Sequence, residues 1–375
     1  MIIAREPIQR PPDARLLAID ARGTITHWPR RDLPALLRRG DLVVANDAAT
    51  LPASLAGNHV ESGAPVEVRL AQRGSLDRDD VHDFLAIVFG DGDYRTATEQ
   101  RPLPPTFATG DTLQLGPLRA TVRRVLGHPR FIALRFTGSA QAIWRGIAKH
   151  GRPVQYAYMR PALAMWDVWT PIAGAPAAFE PPSAGFALDW HLLAELRLHG
   201  VRFATITHAA GLSSTGDPAL DARLPLDEPY VIPHVTADAI AQARRRKGRI
   251  IAVGTTVVRA LEAAARDAGL VTAGASLATQ RIDARTRLRV VDAILSGTHE
   301  PGTSHYALLG AFAPPEWLER ADRELEAHGY RTHEFGDSVL IERSADFRKR
   351  ASFDRACRQP AHDRALCEEE QHERG

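Results

Sequence analysis

Residues 249–265, RIIAVGTTVVRALEAAA, carry the clearest fold signal in this chain. The apolar run from Ile250 to Val253 predicts a buried strand. Gly254 allows a sharp turn directly after that strand. Thr255 and Thr256 are residue types that start helices, and the residues after them continue in a helical pattern. The stretch therefore predicts a strand, a tight turn and a helix in direct succession.

This turn can bind a ligand as well as connect two elements. The first N–H groups of a helix have no intrahelical partner, and together they attract an anion or a hydroxyl group. Arg259 lies one turn into the predicted helix and adds a charged donor. The alternative is an ordinary strand–helix unit whose threonines only cap the helix, because so short a turn is much less specific than a full phosphate-binding loop.

The composition is typical of a globular protein that is large enough for two domains. The chain has 375 residues, of which 44% are hydrophobic and 25% are charged. Its formal net charge is +2, so a polyanionic partner such as nucleic acid requires a local basic patch.

The sequence also predicts the compartment. The cysteines, Cys357 and Cys367, both lie near the C-terminus in a charged segment, which argues against a disulfide framework or a zinc cluster. No apolar run approaches the roughly 18–20 residues of a membrane span, and the first residues lack an apolar signal core. We therefore expect a soluble, cytoplasmic protein in a reducing environment.

The pattern of apolar residues changes along the chain and predicts its domains. Residues 1–57 and 146–343 alternate strand-like and helix-like segments, including the predicted strands 201–208 and 287–295, which indicates one discontinuous α/β domain. Residues 58–145 hold short β-rich runs between glycine and proline turns, typical of an inserted antiparallel β-barrel-like domain. Residues 344–375 form a charged C-terminal tail, which we expect to be a frayed helix or disordered.

Polar residues follow the predicted strands of the α/β domain. The apolar run 42–45 ends in Asn46 and Asp47, and ligands bind at the carboxyl ends of strands in open α/β sheets. Two histidines, three carboxylates, several hydroxyls and a helix start suit a polar, nucleoside-like ligand with general acid–base chemistry. The residues expected at this edge are Asn46, Asp47, Ser183, His208, Glu228, Tyr230, Gly254, Thr255, Thr256, Thr298, His299 and Asp337.

Most members of this group also have a structural interpretation. A histidine at a strand end, such as His208, is commonly a hydrogen-bonded structural residue, whereas His299 lies in a loop without an evident core role. Asp337 fits a tight turn and Asn46 an Asx-type turn. Glu228, in the segment DEPY, fits a solvated loop.

Two further segments suggest ligand contacts. The stretch VQYAYMRPALAMWDVWT contains Tyr156, Tyr158, Trp166 and Trp169, and aromatic rings stack on a base or attract a cationic sulfonium. Core packing is the alternative for each ring. The basic run 244–247 fits either a solvated helix end or a phosphate contact.

Taken in order, these motifs resemble the S-adenosylmethionine:tRNA ribosyltransferase-isomerase family of queuosine biosynthesis. The resemblance extends from about residue 14 to 341, and the AVGTT-VRALE stretch and the closing GD-LI element are specific to that family. The matching pieces are DLVVANDAATLPASLAG, GAPVEVRL, PPSAGF, ITHAAG, DEPYVIP, IIAVGTTVVRALE, VVDAILSGTHEPGTSHYALLGAFA and FGDSVLI.

The resemblance implies an α/β domain with an inserted β-barrel-like domain, and an unusual reaction. The ribosyl part of S-adenosylmethionine is transferred to the aminomethyl group of a 7-deazaguanine base in tRNA and becomes an epoxycyclopentanediol, while adenine and methionine leave. S-adenosylmethionine is a co-substrate in this chemistry, and neither a cofactor nor a metal is implied. The expected partner is tRNA, and we expect a monomer without membrane contact.

The resemblance also assigns roles to residues. His208 and His299 are the expected proton carriers because histidine titrates near neutrality, and Asp337 is the third expected catalytic residue. The Gly254–Thr256 turn with Arg259 is the expected anion holder. The expected substrate-binding residues are Asn46, Asp47, Glu228, Tyr230, Gly254, Thr255, Thr256 and Arg259.

Several positions depart from the family pattern. Ala49 replaces the usual arginine, Ala187 and Leu226 replace histidines, Gly297 replaces an asparagine and Gly302 a lysine. The loss of cationic groups weakens contacts with phosphate or carboxylate. Two alternatives therefore stay open at this point: a divergent paralogue with another acceptor or a related nucleoside donor, and a catalytically silent nucleoside- or RNA-binding protein.

Overall fold

A computed structural model describes residues 1–266 and 269–347 of the chain. The predicted tail from residue 344 lies almost wholly outside the described residues, as do both cysteines. Within the described ranges, no helix combines the length and the apolar character needed to cross a membrane.

The described residues form a strand-rich fold with short helices. The strands are β1 (Ile2–Ile3), β2 (Arg15–Ile19), β3 (Ile25–Pro29), β4 (Leu42–Asn46), β5 (Ala49–Thr50), β6 (Ser54–His59), β7 (Pro65–Gln72), β8 (Asp83–Phe89), β9 (Thr112–Leu115), β10 (Leu118–His128), β11 (Phe131–Phe136), β12 (Pro176–Ala178), β13 (Arg202–His208), β14 (Glu228–Ile232), β15 (Ile250–Val253), β16 (Gly274–Ala278), β17 (Ala293–Gly297), β18 (Arg331–Thr332) and β19 (Ser338–Glu342). The α-helices are α1 (Leu33–Leu36), α2 (Ala140–His150), α3 (Met165–Val168), α4 (Trp190–Leu198), α5 (Pro218–Asp221), α6 (His234–Arg245), α7 (Thr255–Ala264), α8 (Ser304–Leu309) and α9 (Pro315–Ala327).

A nine-stranded mixed sheet is the centre of the larger domain. Its strand order is β16-β14-β13-β4-β15-β17-β19-β2-β3. Strands β13, β4, β15 and β17 are parallel neighbours, whereas β19 pairs antiparallel with β17. The carboxyl ends of the four parallel strands therefore meet at one edge of the sheet, as the α/β prediction requires.

Side chains on the central strands alternate between two cores. On β4, Leu42 and Val44 pack in the core that contains residues of α6, α7 and α9, whereas Val43 and Ala45 pack with residues of α1 and α4. Strand β15 repeats this alternation. Because the sheet is covered on both faces, these strands are apolar at nearly every position, which explains the runs LVVA and IIAV.

The predicted barrel is present as a closed six-stranded antiparallel sheet. Its order is β10-β11-β8-β7-β6-β9, and the pairing of β9 with β10 closes the ring. The first barrel strand begins at Ser54, ahead of the expected boundary at residue 58, and the last ends at Phe136. The domain boundaries themselves stay a prediction.

Local structure agrees with the key stretch and departs from one other prediction. The strand at Ile250–Val253 is present, and the helix begins at Thr255, with Gly254 as its N-cap at a φ of 90°. The predicted strand 287–295 is wrong in its first half, since β17 begins only at Ala293. There, the Glu262 carboxylate accepts the N–H groups of residues 289–291, so these residues need no strand partner.

Candidate active site

The carboxyl ends of β15 and β17 open on a cavity of about 820 Å³. Segments far apart in the sequence form its wall, including the β15–α7 turn, the β17–α8 loop and the β13–β14 connection. Its volume is in the range of cavities that enclose small-molecule ligands. The lining residues are 97–99, 156–158, 180–184, 210–214, 224–225, 228, 254–256, 259, 281–283, 296–300, 303–305, 307–308 and 333–334.

The predicted helix start lies in this lining. Gly254, Thr255 and Thr256 all contact the cavity, and α7 has no side-chain cap on its first N–H groups. The Gly254 N–H is used by the sheet, since it donates to the carbonyl oxygen of Leu295 at 2.8 Å. The N–H groups of the first helical turn have no intrahelical acceptor, so this end of the cavity favours negative charge or a hydroxyl oxygen.

Arg259 reaches the same part of the cavity, but its guanidinium already has protein partners. It forms a buried ion pair with Glu228, whose other oxygen accepts the Gly211 N–H at 2.7 Å. Arg259 also donates to the carbonyl oxygens of Leu226 and Ala278, at 3.1 and 2.9 Å. Its nitrogens Nε, Nη1 and Nη2 all have acceptors. The arginine therefore stabilises the cavity wall, and its expected role as an anion holder stays a prediction.

The two predicted histidine proton carriers occupy different positions. His208 is fully buried, is absent from the lining, and neither ring nitrogen has a hydrogen-bond partner among the described residues. Its Nε2 lies 3.4 Å from a Glu228 oxygen. Burial, together with the positive charge of Arg259, lowers the pKa of His208 well below its ordinary value. It is therefore neutral at pH 7 and separated from the ligand space.

His299 does line the cavity. Its Nε2 lies 2.8 Å from the Ser296 hydroxyl oxygen, and its ring stacks on that of His305 at 4.9 Å. Burial, with the neighbouring His305 and His333 rings, lowers the pKa of His299 well below its usual range. His299 is consequently a neutral imidazole at pH 7 in contact with the ligand space.

The cavity also contains a wall of stacked rings and carboxyl groups that we call the tyrosine–glutamate wall, formed by Tyr156, Tyr158, Glu180 and Glu334. The tyrosine rings stack at 6.1 Å, and Tyr158 stacks on His333 at 4.2 Å. The Tyr156 hydroxyl hydrogen-bonds to Glu180, and the Tyr158 hydroxyl donates to Glu334 at 2.7 Å. All four side chains belong to residues that line the cavity.

The two carboxyl groups of this wall have only neutral donors. Within residues 1–266 and 269–347, neither Glu180 nor Glu334 forms an ion pair with a lysine, arginine or histidine; Glu180 accepts the Ser213 N–H at 2.9 Å. Burial, followed by the charge of Glu334, raises the pKa of Glu180 to about 7. Burial also raises the pKa of Glu334. This side of the cavity therefore favours a cationic ligand group.

Asn46, Asp47 and Tyr230 lie behind the cavity wall and outside its lining. Asn46 accepts the His208 N–H at 2.9 Å and donates to its carbonyl oxygen at 2.9 Å. Asp47 accepts the Thr207 hydroxyl at 2.6 Å. Tyr230 is buried and stacks on His208 at 6.5 Å. These residues hold the ends of β4, β13 and β14 together, and their expected substrate contacts stay predictions.

Asp337, predicted as catalytic, lies in a separate buried ion-pair cluster. It accepts the N–H groups of Arg15 and Arg331, both at 2.8 Å, and pairs with their guanidinium groups at 3.3 and 3.2 Å. The carboxylate does not line the cavity and is 1% exposed. These contacts tie β2, β18 and β19 together, and the expected catalytic role of Asp337 stays a prediction.

The remaining aromatic residues of the predicted motifs are either exposed or packed in a core, and none of them lines the cavity. Trp166 and Trp169 are exposed and do not line the cavity. Phe186 is buried against Phe335 and Leu188 belongs to the core beneath the sheet, so neither fills the ligand space.

Two groups of side chains in the described residues have the spacing of a metal site, and none of their members lines the cavity: His27, Glu324, His328 and His59, Glu61, Asp111.

Sequence reasoning missed several lining residues. Glu180 directly precedes the motif PPSAGF (181–186), and Glu334 directly precedes FGDSVLI (335–341), so each adjoins a motif of the family resemblance. His305 lies six residues after His299, in the first turn of α8. Their proximity to these motifs was the available signal. An isolated acidic residue in a loop predicts solvent exposure, and only the fold shows that Glu180 is buried and Glu334 half-buried.

The chain is similar to known proteins of one family over most of its length. Residues 1–341 match the family described as queuosine biosynthesis protein. The S-adenosylmethionine:tRNA ribosyltransferase-isomerase of Sorangium cellulosum is 34% identical over 368 residues, covering 91% of this chain and 95% of that protein. The protein of the same name from Geobacter metallireducens is 34% identical over 352 residues, with 91% and 96% covered.

Among solved structures, the S-adenosylmethionine tRNA ribosyltransferase of Thermotoga maritima is similar to this chain. It is 24% identical, and the match covers 91% of this chain and 96% of that one, with a TM-score of 0.48.

Proposed function

This chain belongs to the queuosine biosynthesis protein family, and we propose that it acts as an S-adenosylmethionine:tRNA ribosyltransferase-isomerase. It transfers and isomerises the ribosyl part of S-adenosylmethionine onto a 7-aminomethyl-7-deazaguanine base in tRNA, with release of adenine and methionine and formation of epoxyqueuosine. The observation that carries this proposal is one cavity that contains an uncapped helix start, a neutral histidine and the tyrosine–glutamate wall.

The tyrosine–glutamate wall suits the positive charges of this reaction. S-adenosylmethionine carries a sulfonium, and the acceptor carries an aminomethyl group that is cationic when protonated. Stacked aromatic faces attract such cations, and a buried carboxylate without a cationic partner gains charge-assisted contacts when one arrives. Tyr156 and Glu180, which lie on one side of the cavity, provide both features.

The start of α7, another part of the cavity lining, suits the anionic and hydroxylated parts of the donor. The N–H groups at the start of α7, beside Thr255 and Thr256, attract the carboxylate of the methionine part or the ribose hydroxyls. Arg259 contributes indirectly, because its ion pair holds Glu228 in place in the cavity lining. No metal or cofactor is part of this proposal, and S-adenosylmethionine is the co-substrate.

His299 is the proposed proton carrier. The chemistry requires removal of a proton next to the sulfonium, and His299 is a neutral imidazole within the lining, held by Ser296 at 2.8 Å. His208, the other predicted carrier, lies outside the lining with a pKa well below its usual range, which burial causes. The lining therefore favours His299.

The alternative functions have less support. Filling of the ligand space by Phe186 or Leu188 would favour a silent binding protein, and both residues pack elsewhere. Of the five departures from the family pattern, Gly297 is the one that lies in the cavity lining.

The direct test is incubation of the purified protein with S-adenosylmethionine and tRNA that carries 7-aminomethyl-7-deazaguanine. We expect adenine release and the mass gain of the epoxycyclopentanediol on the modified nucleoside. Adenine release without the mass gain would support the divergent paralogue. Absence of both, with unmodified S-adenosylmethionine recovered, would overturn the proposal.

A matched pair of variants tests the cation side of the cavity. Glu180→Gln keeps the shape and removes the carboxylate, whereas Glu99→Gln makes the same change at an exposed lining residue. We expect Glu180→Gln to weaken S-adenosylmethionine binding, or to raise KM for tRNA, by about tenfold. The affected ligand identifies the cation that Glu180 meets. Equal effects of the two substitutions would show that the Glu180 carboxylate does not recognise a substrate.

A further inference from the structure

A second, more open cleft of about 500 Å³ lies beside the cavity, between the barrel and the nine-stranded sheet domain. The barrel side consists of residues on β7, β8, β10 and β11, and the other side comes from the β13–β14 and β16–β17 connections. Pro225 and Arg281 line both the cleft and the cavity, so the two spaces are adjacent. The residues that line the cleft are Gln72, Leu85, Arg124, Leu126, Phe131, Arg223, Pro225, Leu226, Asp227, Thr279 and Arg281.

Three arginines from separate parts of the chain converge in this cleft. Arg124, Arg223 and Arg281 are all exposed. In the part of the chain that the structure describes, none of them forms an ion pair with a carboxylate, although Asp227 lines the same cleft. Because the whole chain has a formal net charge of only +2, this concentration of unpaired positive charge is a local feature.

The backbone holds two of these guanidinium groups in place. Arg223 donates to the carbonyl oxygen of Leu126 at 2.9 Å, and its guanidinium lies 4.5 Å from the centre of the Phe131 ring. Arg281 donates to the carbonyl oxygen of Ala222 at 2.6 Å. A carbonyl acceptor positions an arginine without neutralising its charge, so these groups remain able to bind a second anionic partner.

We propose that this arginine cleft, defined by Arg124, Arg223 and Arg281, binds the phosphate backbone of the RNA acceptor next to the base that enters the cavity. The inference rests on the proposed function, because that function makes the acceptor a nucleotide within a polyanion. An enzyme that modifies a base needs the nucleotide out of its stack, and phosphate contacts beside the pocket fix its register. The shared residues Pro225 and Arg281 show that the cleft borders the cavity, as phosphates next to an inserted base require.

The basic run 244–247 is less suited to this role. Arg244 pairs with Asp292 at 3.4 Å and hydrogen-bonds to the carbonyl oxygen of Val290, so its charge is partly used within the fold. None of the four residues lines the cavity or the cleft.

The test is the salt dependence of tRNA binding by the full chain, measured by fluorescence anisotropy between about 50 and 200 mM salt. The variant is Arg124→Gln with Arg223→Gln. The matched control is Arg119→Gln with Arg123→Gln, which removes the same charge from exposed positions of β10 outside the cleft. Thermal midpoints of all proteins establish that they are folded.

We expect the cleft variant to bind tRNA about tenfold more weakly than the control variant. The slope of log affinity against log salt should fall by about 0.7 for each lost phosphate contact, hence about 1.4 for the pair. Equal affinities and equal slopes for the two variants would overturn the inference. Binding and adenine release are measured in separate assays. If the wild-type protein releases no adenine but the cleft variant still binds tRNA more weakly than the control, the proposed function is wrong and the arginine cleft is still supported.

Discussion

Glu228 and Glu180 line the same cavity and are equally buried, at 6% exposure, yet their partners differ. Glu228 forms an ion pair with Arg259, whereas Glu180 has the Tyr156 hydroxyl and the Ser213 N–H. A buried charge with a cationic partner is satisfied within the protein, and a buried carboxyl with neutral donors alone is held partly protonated. The Glu228 carboxylate therefore stabilises the fold through its ion pair, whereas the Glu180 carboxyl group is available to a cationic ligand.

This difference also separates binding from proton transfer. In the proposed function, the carboxyl groups of the tyrosine–glutamate wall recognise charge, and the neutral His299 moves a proton. Each assignment predicts a distinct response to substitution.

The largest effect should come from His299→Asn. Removal of a general acid–base group typically lowers the rate by about 10²- to 10⁴-fold, and Asn cannot transfer a proton in this way. Adenine release under saturating substrates measures the loss. His199→Asn, at an exposed position after α4, is the matched control. A loss below about tenfold would assign proton transfer to another group.

Substitution of Arg259 by Met should mainly lower stability. It leaves the buried Glu228 carboxylate without its cation, which costs about 3–5 kcal/mol of unfolding free energy. Urea unfolding measures the change, and the double variant with Glu228→Gln should recover a large part of it, because the unpaired charge is then absent. A loss below about 1 kcal/mol, or no recovery, would show that the pair is not a scaffold element.

Glu180 should make stability depend on pH. Burial raises its folded-state pKa to about 7 from an ordinary value of 4.5, so the folded protein keeps a proton that the unfolded chain releases. This contribution is complete below the ordinary pKa and is lost as the pH rises through about 7. The free energy of unfolding should therefore fall by about 3 kcal/mol more in the wild type than in Glu180→Gln between pH 4.5 and 8.

The control for this experiment is Glu99→Gln, which changes an exposed lining residue. Its pH profile should follow that of the wild type. Parallel profiles for wild type and Glu180→Gln would mean that Glu180 is ionised in the folded protein, and the contrast with Glu228 would then be lost.

Asp337→Asn separates a structural from a catalytic aspartate. Loss of the carboxylate removes the charge that pairs with Arg15 and Arg331, at a cost of about 2 kcal/mol for hydrogen bonds to charged groups. The thermal midpoint should fall, while kcat and KM at 25 °C stay near wild type. A large fall in kcat with an unchanged midpoint would restore the catalytic role that the sequence motif suggested.

The features that could be predicted from the sequence are those that neighbouring residues determine. The run IIAV, Gly254 and the two threonines carry their structure in adjacent residues, so strand, turn and helix were predictable, as was the barrel from its short alternating runs. The start of β17 was misplaced because a carboxylate from α7, Glu262, binds the preceding backbone, and no local pattern reports such a contact.

The site was predictable only in part, for the same reason. Thr255, Thr256 and His299 follow the carboxyl ends of β15 and β17, and they do line the cavity. Arg259 and Asp337 carry the right chemical groups, but partners distant in the sequence already use them. Glu180 resembles a solvated loop residue until the fold brings Tyr156 and Ser213 to it.

The smallest effect is expected for His208→Phe. Neither ring nitrogen of His208 has a hydrogen bond within the described residues, and the ring is fully buried beside Tyr230. Replacement of a buried polar group without partners by an apolar ring of similar shape is close to neutral, so unfolding free energy should change by less than about 1 kcal/mol. Adenine release should also persist, since the ring lies outside the cavity lining. A fall in rate as large as that of His299→Asn would mean that His208 reaches the substrate after a rearrangement of the wall, and the division between scaffold and ligand side would have to be redrawn around Glu228.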